Sequence, residues 1–261
     1  MVQELNRQFQ IGPLNVFVHE TRESLGQAAA LEAAAIIQVA IEKQGRARIL
    51  FSAANSQLEM VGHLTTIPGI NWNAVEAFHL DEYVGLSLSH PASFAGWVKR
   101  YVVDAVHPGK VHYLAGDTKD GERECQRFAD LLALAPIDIS FLGIGENGHI
   151  GFNDPHETDF LDPLSVRVVT LDERCRLQQV GEGHWPNLNS VPTKGFTITC
   201  PALVNAAYII SCVPGPQKAE AVRNALEGPI SATCPASLIR THQNAKVYLD
   251  IHSASLLARK S

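Results

Sequence analysis

Short, continuous apolar runs alternate along this chain with longer stretches in which apolar positions recur every three or four residues. Residues 14–18 read as a strand. Thr21 then offers a hydroxyl to cap a helix, with Ser24 close behind, and the Ala-rich stretch that follows keeps helical spacing through Ile41 until Gly45 stops it. Residues 48–51 form a second apolar run, which enters the small-residue turn Ser52-Ala53-Ala54-Asn55-Ser56 ahead of a helical pattern over 58–64. Further strands are predicted over 74–80, 111–114, 137–142, 166–171, 195–199, 208–213 and 246–249, and helices over 94–106, 122–134 and 217–226. Continuous apolar strands separated by helices of about ten residues or more are the pattern of βαβ units, whose sheet is covered on both faces. A mostly parallel α/β sheet is therefore predicted. No composition break, long linker, internal repeat or low-complexity tract divides the chain, so residues 1–261 read as one domain. The weakly patterned stretch from Gly181 to Asn189 reads as a loop or lid, placed around 181–195.

Charge narrows the partners. The chain carries 21 Lys and Arg against 27 Asp and Glu, a formal net charge of −6, with no basic run to meet a phosphate backbone or an anionic bilayer. Neither nucleic acid nor a membrane is an expected partner, and any anion must be caught by a few local groups. Five widely spaced Cys with no Cys-x-x-Cys pair suggest neither a disulfide framework nor a zinc ribbon. The segment Met1-Val2-Gln3-Glu4-Leu5-Asn6-Arg7 has an early acid and no apolar signal-peptide core, and no apolar run is expected to reach the ~20 residues that cross a bilayer. These features predict a cytoplasmic protein.

In an open parallel sheet, ligands gather beyond the carboxyl ends of the strands. Three unusual residue sets fall there. Phe78-His79-Leu80-Asp81-Glu82-Tyr83-Val84-Gly85-Leu86 puts two adjacent carboxylates at a strand end, where one could act as a general base. The segment from Gly143 to Pro155 satisfies Gly-x-Gly-x-x-Gly, but it lies mid-chain and no helix starts at His149, so a dinucleotide site does not fit its context. Its glycines instead suit a tight loop that places His149 and Asp154 together, a carboxylate orienting an imidazole. The third set is dispersed: the turn from Ser52 to Ser56, Arg176 and Lys218 could together hold one phosphate. The remaining His residues lack His-x-x-x-His spacing, so no metal site is expected.

In order and spacing, residues 78–86, His90-Pro91-Ala92-Ser93-Phe94, residues 142–155, Ser190-Val191-Pro192 and Gly215-Pro216-Gln217-Lys218-Ala219 followed by Glu227-Gly228 resemble the glucosamine-6-phosphate deaminase/isomerase family. The resemblance runs from about Leu14 to Asp250. Related 6-phosphogluconolactonases share the glycine loop and its His, but usually show Asp-Glu-Arg at the place of Asp81-Glu82-Tyr83 and lack the Phe152-Asn153 continuation. The resemblance implies a modified Rossmann-like three-layer α/β/α sandwich. It implies that glucosamine 6-phosphate and water become fructose 6-phosphate and ammonia, with Asp81 moving a proton between C2 and C1 and His149 assisting ring opening. Asp154 stands where the family usually has Glu and would orient His149; Asn147 stands where many members have Asp. Substrate and phosphate contacts are implied for Ser52, Ala54, Asn55, Ser56, Glu82, Gly145, Arg176 and Lys218. The usual Thr-Gly-(Gly/Ser)-Thr-Pro phosphate turn is here Ser52-Ala53-Ala54-Asn55-Ser56-Gln57. No cofactor is implied, the expected partner is a small phosphosugar, and a homo-oligomer stays open. A sugar-phosphate lactonase and a non-catalytic sugar-phosphate-binding regulatory protein are the alternatives.

Overall fold

The computed structural model describes residues 5–258. From the N-terminus the elements are β1 (Leu5–Ile11), β2 (Leu14–His19), α1 (Arg22–Gln44), β3 (Ala47–Phe51), α2 (Leu58–Leu64), β4 (Val75–His79) and β5 (Asp81–Tyr83). Next come α3 (Phe94–Val98), α4 (Asp104–Val106), β6 (Lys110–His112), α5 (Gly121–Ala133), β7 (Ile139–Leu142) and β8 (Val166–Thr170). The chain ends with α6 (Glu173–Gly181), β9 (Lys194–Ile198), α7 (Cys200–Val204), β10 (Tyr208–Val213), α8 (Ala219–Glu227) and β11 (Ala245–Asp250). Eight strands form the main sheet in the order β1-β2-β11-β10-β7-β3-β4-β6, parallel at every pairing except the β1–β2 hairpin.

Side chains along a strand alternate between faces, and the two faces build two cores. Ile49 and Phe51 pack with Ala33 of α1, Met60 of α2 and Trp97 of α3. Leu50, between them in sequence, joins Phe128 of α5 and Val222 of α8 on the other side. This is the three-layer α/β/α sandwich. Helix α1 starts where Thr21 and Ser24 form a reciprocal capping box and ends where Gly45 turns left-handed at φ 75°. Its 23 residues include an 18-residue window of mean hydropathy 1.5, which suffices by length and composition to cross a bilayer, against the expectation that no stretch would. In the fold, Leu25, Ala29, Ala30, Ala33, Ala34 and Ile37 of this helix are buried in the core. The N-terminal residues 1–4 and the last three of the expected domain, 259–261, lie outside the described residues.

One expectation is corrected. Segments 166–171 and 195–199 were read as further strands of the parallel sheet, but β8 and β9 pair antiparallel with each other and with β5 in a separate sheet of order β5-β9-β8. Local patterning marks a strand without naming its partner. The small sheet matters for the site because it receives the chain as it leaves β4. The main sheet also has a switch point: from β3 the chain moves outward to β4 and β6, then returns to β7 on the other flank of β3 and continues to β10 and β11. The crevice between β3 and β7 is where a ligand fits such a sheet.

Candidate active site

Loops from the carboxyl ends of β3, β4, β7 and β10 meet over that crevice. They supply Ser52, Ala54 and Ser56 after β3, Asp81 after β4, Gly143, Gly145 and His149 after β7, and Lys218 after β10. Phe94 and Phe152 add apolar surface, and Gln178, Gln179 and Glu182 join the lining from α6 and its C-terminal cap. Seven expected site residues, Ser52, Ala54, Ser56, Asp81, Gly145, His149 and Lys218, thus line one pocket.

Asp81 is fixed through its backbone. Leu80 bridges the two sheets, its N–H donating to Phe51 O at 3.2 Å and its carbonyl accepting from Ile198 N–H at 2.9 Å. Asp81 then pairs with Thr197 in β9. Beneath it, His79 accepts the Leu114 N–H at Nε2 (2.9 Å), so Nδ1 carries the proton and donates to the Asp81 carbonyl at 2.9 Å. Burial lowers the His79 pKa to about 4, which keeps this strut neutral. Asp81 is itself only 6% exposed; burial first, and the neighbouring Glu82 second, push its carboxyl pKa well above the ordinary carboxylate range. Once ionised it is an unusually strong base for a carboxylate.

Glu82, expected on the substrate, faces the other way. Adjacent residues of a strand point to opposite faces, and the Glu82 carboxylate accepts from Ser93 Oγ (2.6 Å) and from the N–H groups of Tyr83, Phe94 and Ala95. It satisfies the first turn of α3, and the charge it places behind Asp81 is its link to the pocket.

His149 is held by an amide between two acids. Its Nδ1 lies 2.7 Å from Asn147 Oδ1 and 3.3 Å from Asp154 Oδ1, and its backbone N–H also donates to Asn147 Oδ1. The Asn147 amide nitrogen donates to Asp154 Oδ1 and to Asp172 Oδ2, both at 2.8 Å. That arrangement fixes the amide orientation and puts the proton on Nδ1, leaving Nε2 with a lone pair for the pocket that the ring lines. Gly145 cradles the ring, and a methyl group there would overlap it. Asp154 is fully buried; burial works to raise its pKa, but His149, the Asp172 N–H and Asn147 outweigh it and hold the carboxyl below its ordinary value. Behind them, Asn153 donates to Ile150 O and Ile198 O and ties the loop to β9. His149, Asp154 and Cys175 bring ligand-type atoms within 4.8 Å, as do Asp154, His156 and Asp172, groupings that the search for His-x-x-x-His spacing did not reach. Three of these residues, His149, Asp154 and Asp172, are already bonded to the neutral Asn147 amide.

The anion end differs most from expectation. Arg176 does not line the pocket; its guanidinium donates to the carbonyls of Leu188 (2.7 Å) and Val191 (2.9 Å), pinning the far end of the 181–195 stretch. It sits on α6, a helix absent from the predicted pattern, so its facing was not readable. Asn55 is also outside the lining, and its side-chain amide donates to the Glu182 carbonyl at 3.3 Å. Lys218 remains, 4% exposed; burial lowers its pKa, opposed by Glu182, Glu146 and Cys175. Residues the sequence reading did not single out complete the site. Gln57 donates to Ser56 Oγ and Cys212 O and so pins the β3 turn across the sheet, Asp172 caps α6 and meets Asn147, and Glu182 stands 3.9 Å from Lys218. An Asp directly ahead of a helix is a readable cap signal; a lone acid between two glycines, as in Gly181-Glu182-Gly183, is not.

Comparison with known proteins follows this geometry. The family model for glucosamine-6-phosphate isomerases and 6-phosphogluconolactonase matches residues 20–249. Glucosamine-6-phosphate deaminases of Arthrobacter sp. (strain FB24) and Exiguobacterium sibiricum are 36% and 37% identical over 192 and 184 residues, covering 72% and 70% of this chain and 72% and 71% of theirs. Among solved structures, a monomeric glucosamine-6-phosphate deaminase superposes with a TM-score of 0.84 at 32% identity, over 92% of this chain and 99% of that one. The 6-phosphogluconolactonase of Trypanosoma brucei shares the fold, with a TM-score of 0.76 at 18% identity over 93% and 98% of the two chains. This chain belongs to the family of glucosamine-6-phosphate isomerases and 6-phosphogluconolactonases.

Proposed function

We propose that the protein is an amino-sugar-phosphate deaminase/isomerase that converts glucosamine 6-phosphate and water to fructose 6-phosphate and ammonia. The observation that carries this reading is the pairing, in one pocket, of a buried carboxylate of raised pKa with an imidazole whose Nδ1 is tied and whose Nε2 is not. Each suits one proton transfer. His149 Nε2 accepts the proton of the anomeric hydroxyl and returns it to the ring oxygen, which opens the sugar to its aldehyde. Asp81 removes the C2 proton to give an enolamine and delivers a proton to C1; the resulting ketimine is hydrolysed by water, releasing ammonia. Lys218 and the Ser52 to Ser56 turn hold the far end of the sugar. Named relatives that are glucosamine-6-phosphate deaminases, at 36% and 37% identity, support this reaction over lactone hydrolysis. Five free thiols, four of them buried, support placing the protein in the cytoplasm.

Incubation with glucosamine 6-phosphate is expected to yield ammonia and fructose 6-phosphate in equal amounts, measured by coupled assays. Hydrolysis of 6-phosphogluconolactone is expected to stay at its spontaneous rate. Lactone hydrolysis without ammonia release would overturn the reading.

A further inference from the structure

The far end of the pocket is poorly built for a dianion. A sugar phosphate carries about −1.5 to −2 charges near neutral pH and offers oxygen acceptors. Among the described residues Lys218 is the one Lys or Arg in the lining, and the Glu182 carboxylate stands 3.9 Å from it. Formal charge at that end is therefore zero before a ligand arrives. The cation expected as a second clamp, Arg176, lies outside the lining and donates through Nη2 to the carbonyls of Leu188 and Val191. Glu182 is held in place rather than loose: Gln178 Nε2 donates to it at 2.7 Å, His184 Nε2 lies 3.5 Å away, and its backbone N–H and carbonyl are bonded to Gln178 and Asn55.

The Glu182 carboxylate lines the α6 side of the same pocket, and a carboxylate accepts a hydrogen bond from a sugar hydroxyl where it repels a phosphate dianion.

We infer that Glu182 is a specificity-determining residue that cancels the positive charge at the far end of the pocket, so that the site takes the free 2-amino-2-deoxyhexose, through its terminal hydroxyl, alongside the 6-phosphate. The inference rests on the deaminase reading above and deepens its substrate class. The test compares kcat/KM for ammonia release from glucosamine 6-phosphate and from glucosamine, for the wild type and for Glu182→Gln. Wild type is expected to use both sugars, and Glu182→Gln is expected to raise the phosphate-to-free ratio by about tenfold or more, because it removes a repulsion felt by one substrate alone. Calorimetric binding of both sugars to Asp81→Asn, with and without Glu182→Gln, reads the same ratio without turnover. No ammonia from either sugar, with the binding ratio still shifted, would reject the deaminase reading and retain the role of Glu182. An unchanged ratio in both measurements, or a wild type that neither binds nor deaminates glucosamine, would overturn the inference.

Discussion

Replacing Asp81 by Asn is expected to lower kcat for ammonia release by about 10³-fold, near the middle of the range for loss of a positioned general base, and to leave sugar binding within a few-fold. Asparagine keeps the shape and the β5–β9 pairing but cannot take the C2 proton. The same change is expected to raise the melting temperature at neutral pH. Burial and Glu82 hold the Asp81 pKa above its unfolded value, so between the two values the native state binds more protons than the unfolded chain. Ionising Asp81 in the fold therefore costs stability as pH rises through that window, and the neutral amide does not incur the cost. For activity the sign is opposite: kcat falls as pH drops through the raised pKa, because the base must be ionised. Thermal melts and ammonia assays on the two proteins check both halves, and a variant that loses activity together with stability would show that Asp81 is structural.

Replacing His149 by Gln is expected to slow turnover of the cyclic sugar by about 10²-fold, with a much smaller loss on an open-chain analogue. The reason lies in Asn147. Its amide oxygen holds the proton on Nδ1 while its nitrogen engages Asp154 and Asp172, so Nε2 alone cycles between acceptor and donor. Glutamine offers an amide that cannot cycle in this way. Equal losses on cyclic and open-chain substrates, measured by ammonia release, would contradict a ring-opening role.

Most strands of the parallel sheet were legible because burial on both faces makes them largely apolar, and Asp81 and His149 were legible because they sit at strand ends in distinctive company. The edge strand β1, with polar residues Arg7, Gln8 and Gln10 between its apolar ones, gave no such run. The small sheet was not legible, since β5 is three residues long and pairs with β9, distant in sequence. Facing was the harder problem. Glu82 next to Asp81 points the other way, and Arg176 on the unpredicted α6 turns to backbone carbonyls while Gln178, Gln179 and Glu182 reach the pocket. Asn147, which carries no charge, gains its role only through Asp172, a cap residue 25 positions away.

The central claim is that one carboxylate moves a proton between adjacent carbons of an amino sugar, and solvent exchange tests it most directly. With glucosamine 6-phosphate deuterated at C2 and turned over in H₂O, and the unlabelled sugar turned over in D₂O, the C1 deuterium of the fructose 6-phosphate read by NMR is predicted to sum over the two experiments to about one atom, divided between direct transfer from C2 and exchange on the carboxyl, and Asp81→Asn is predicted to form product only at its residual rate. Ammonia released with neither the C2 label nor solvent deuterium at C1, or a labelled product formed equally well by Asp81→Asn, would contradict the account.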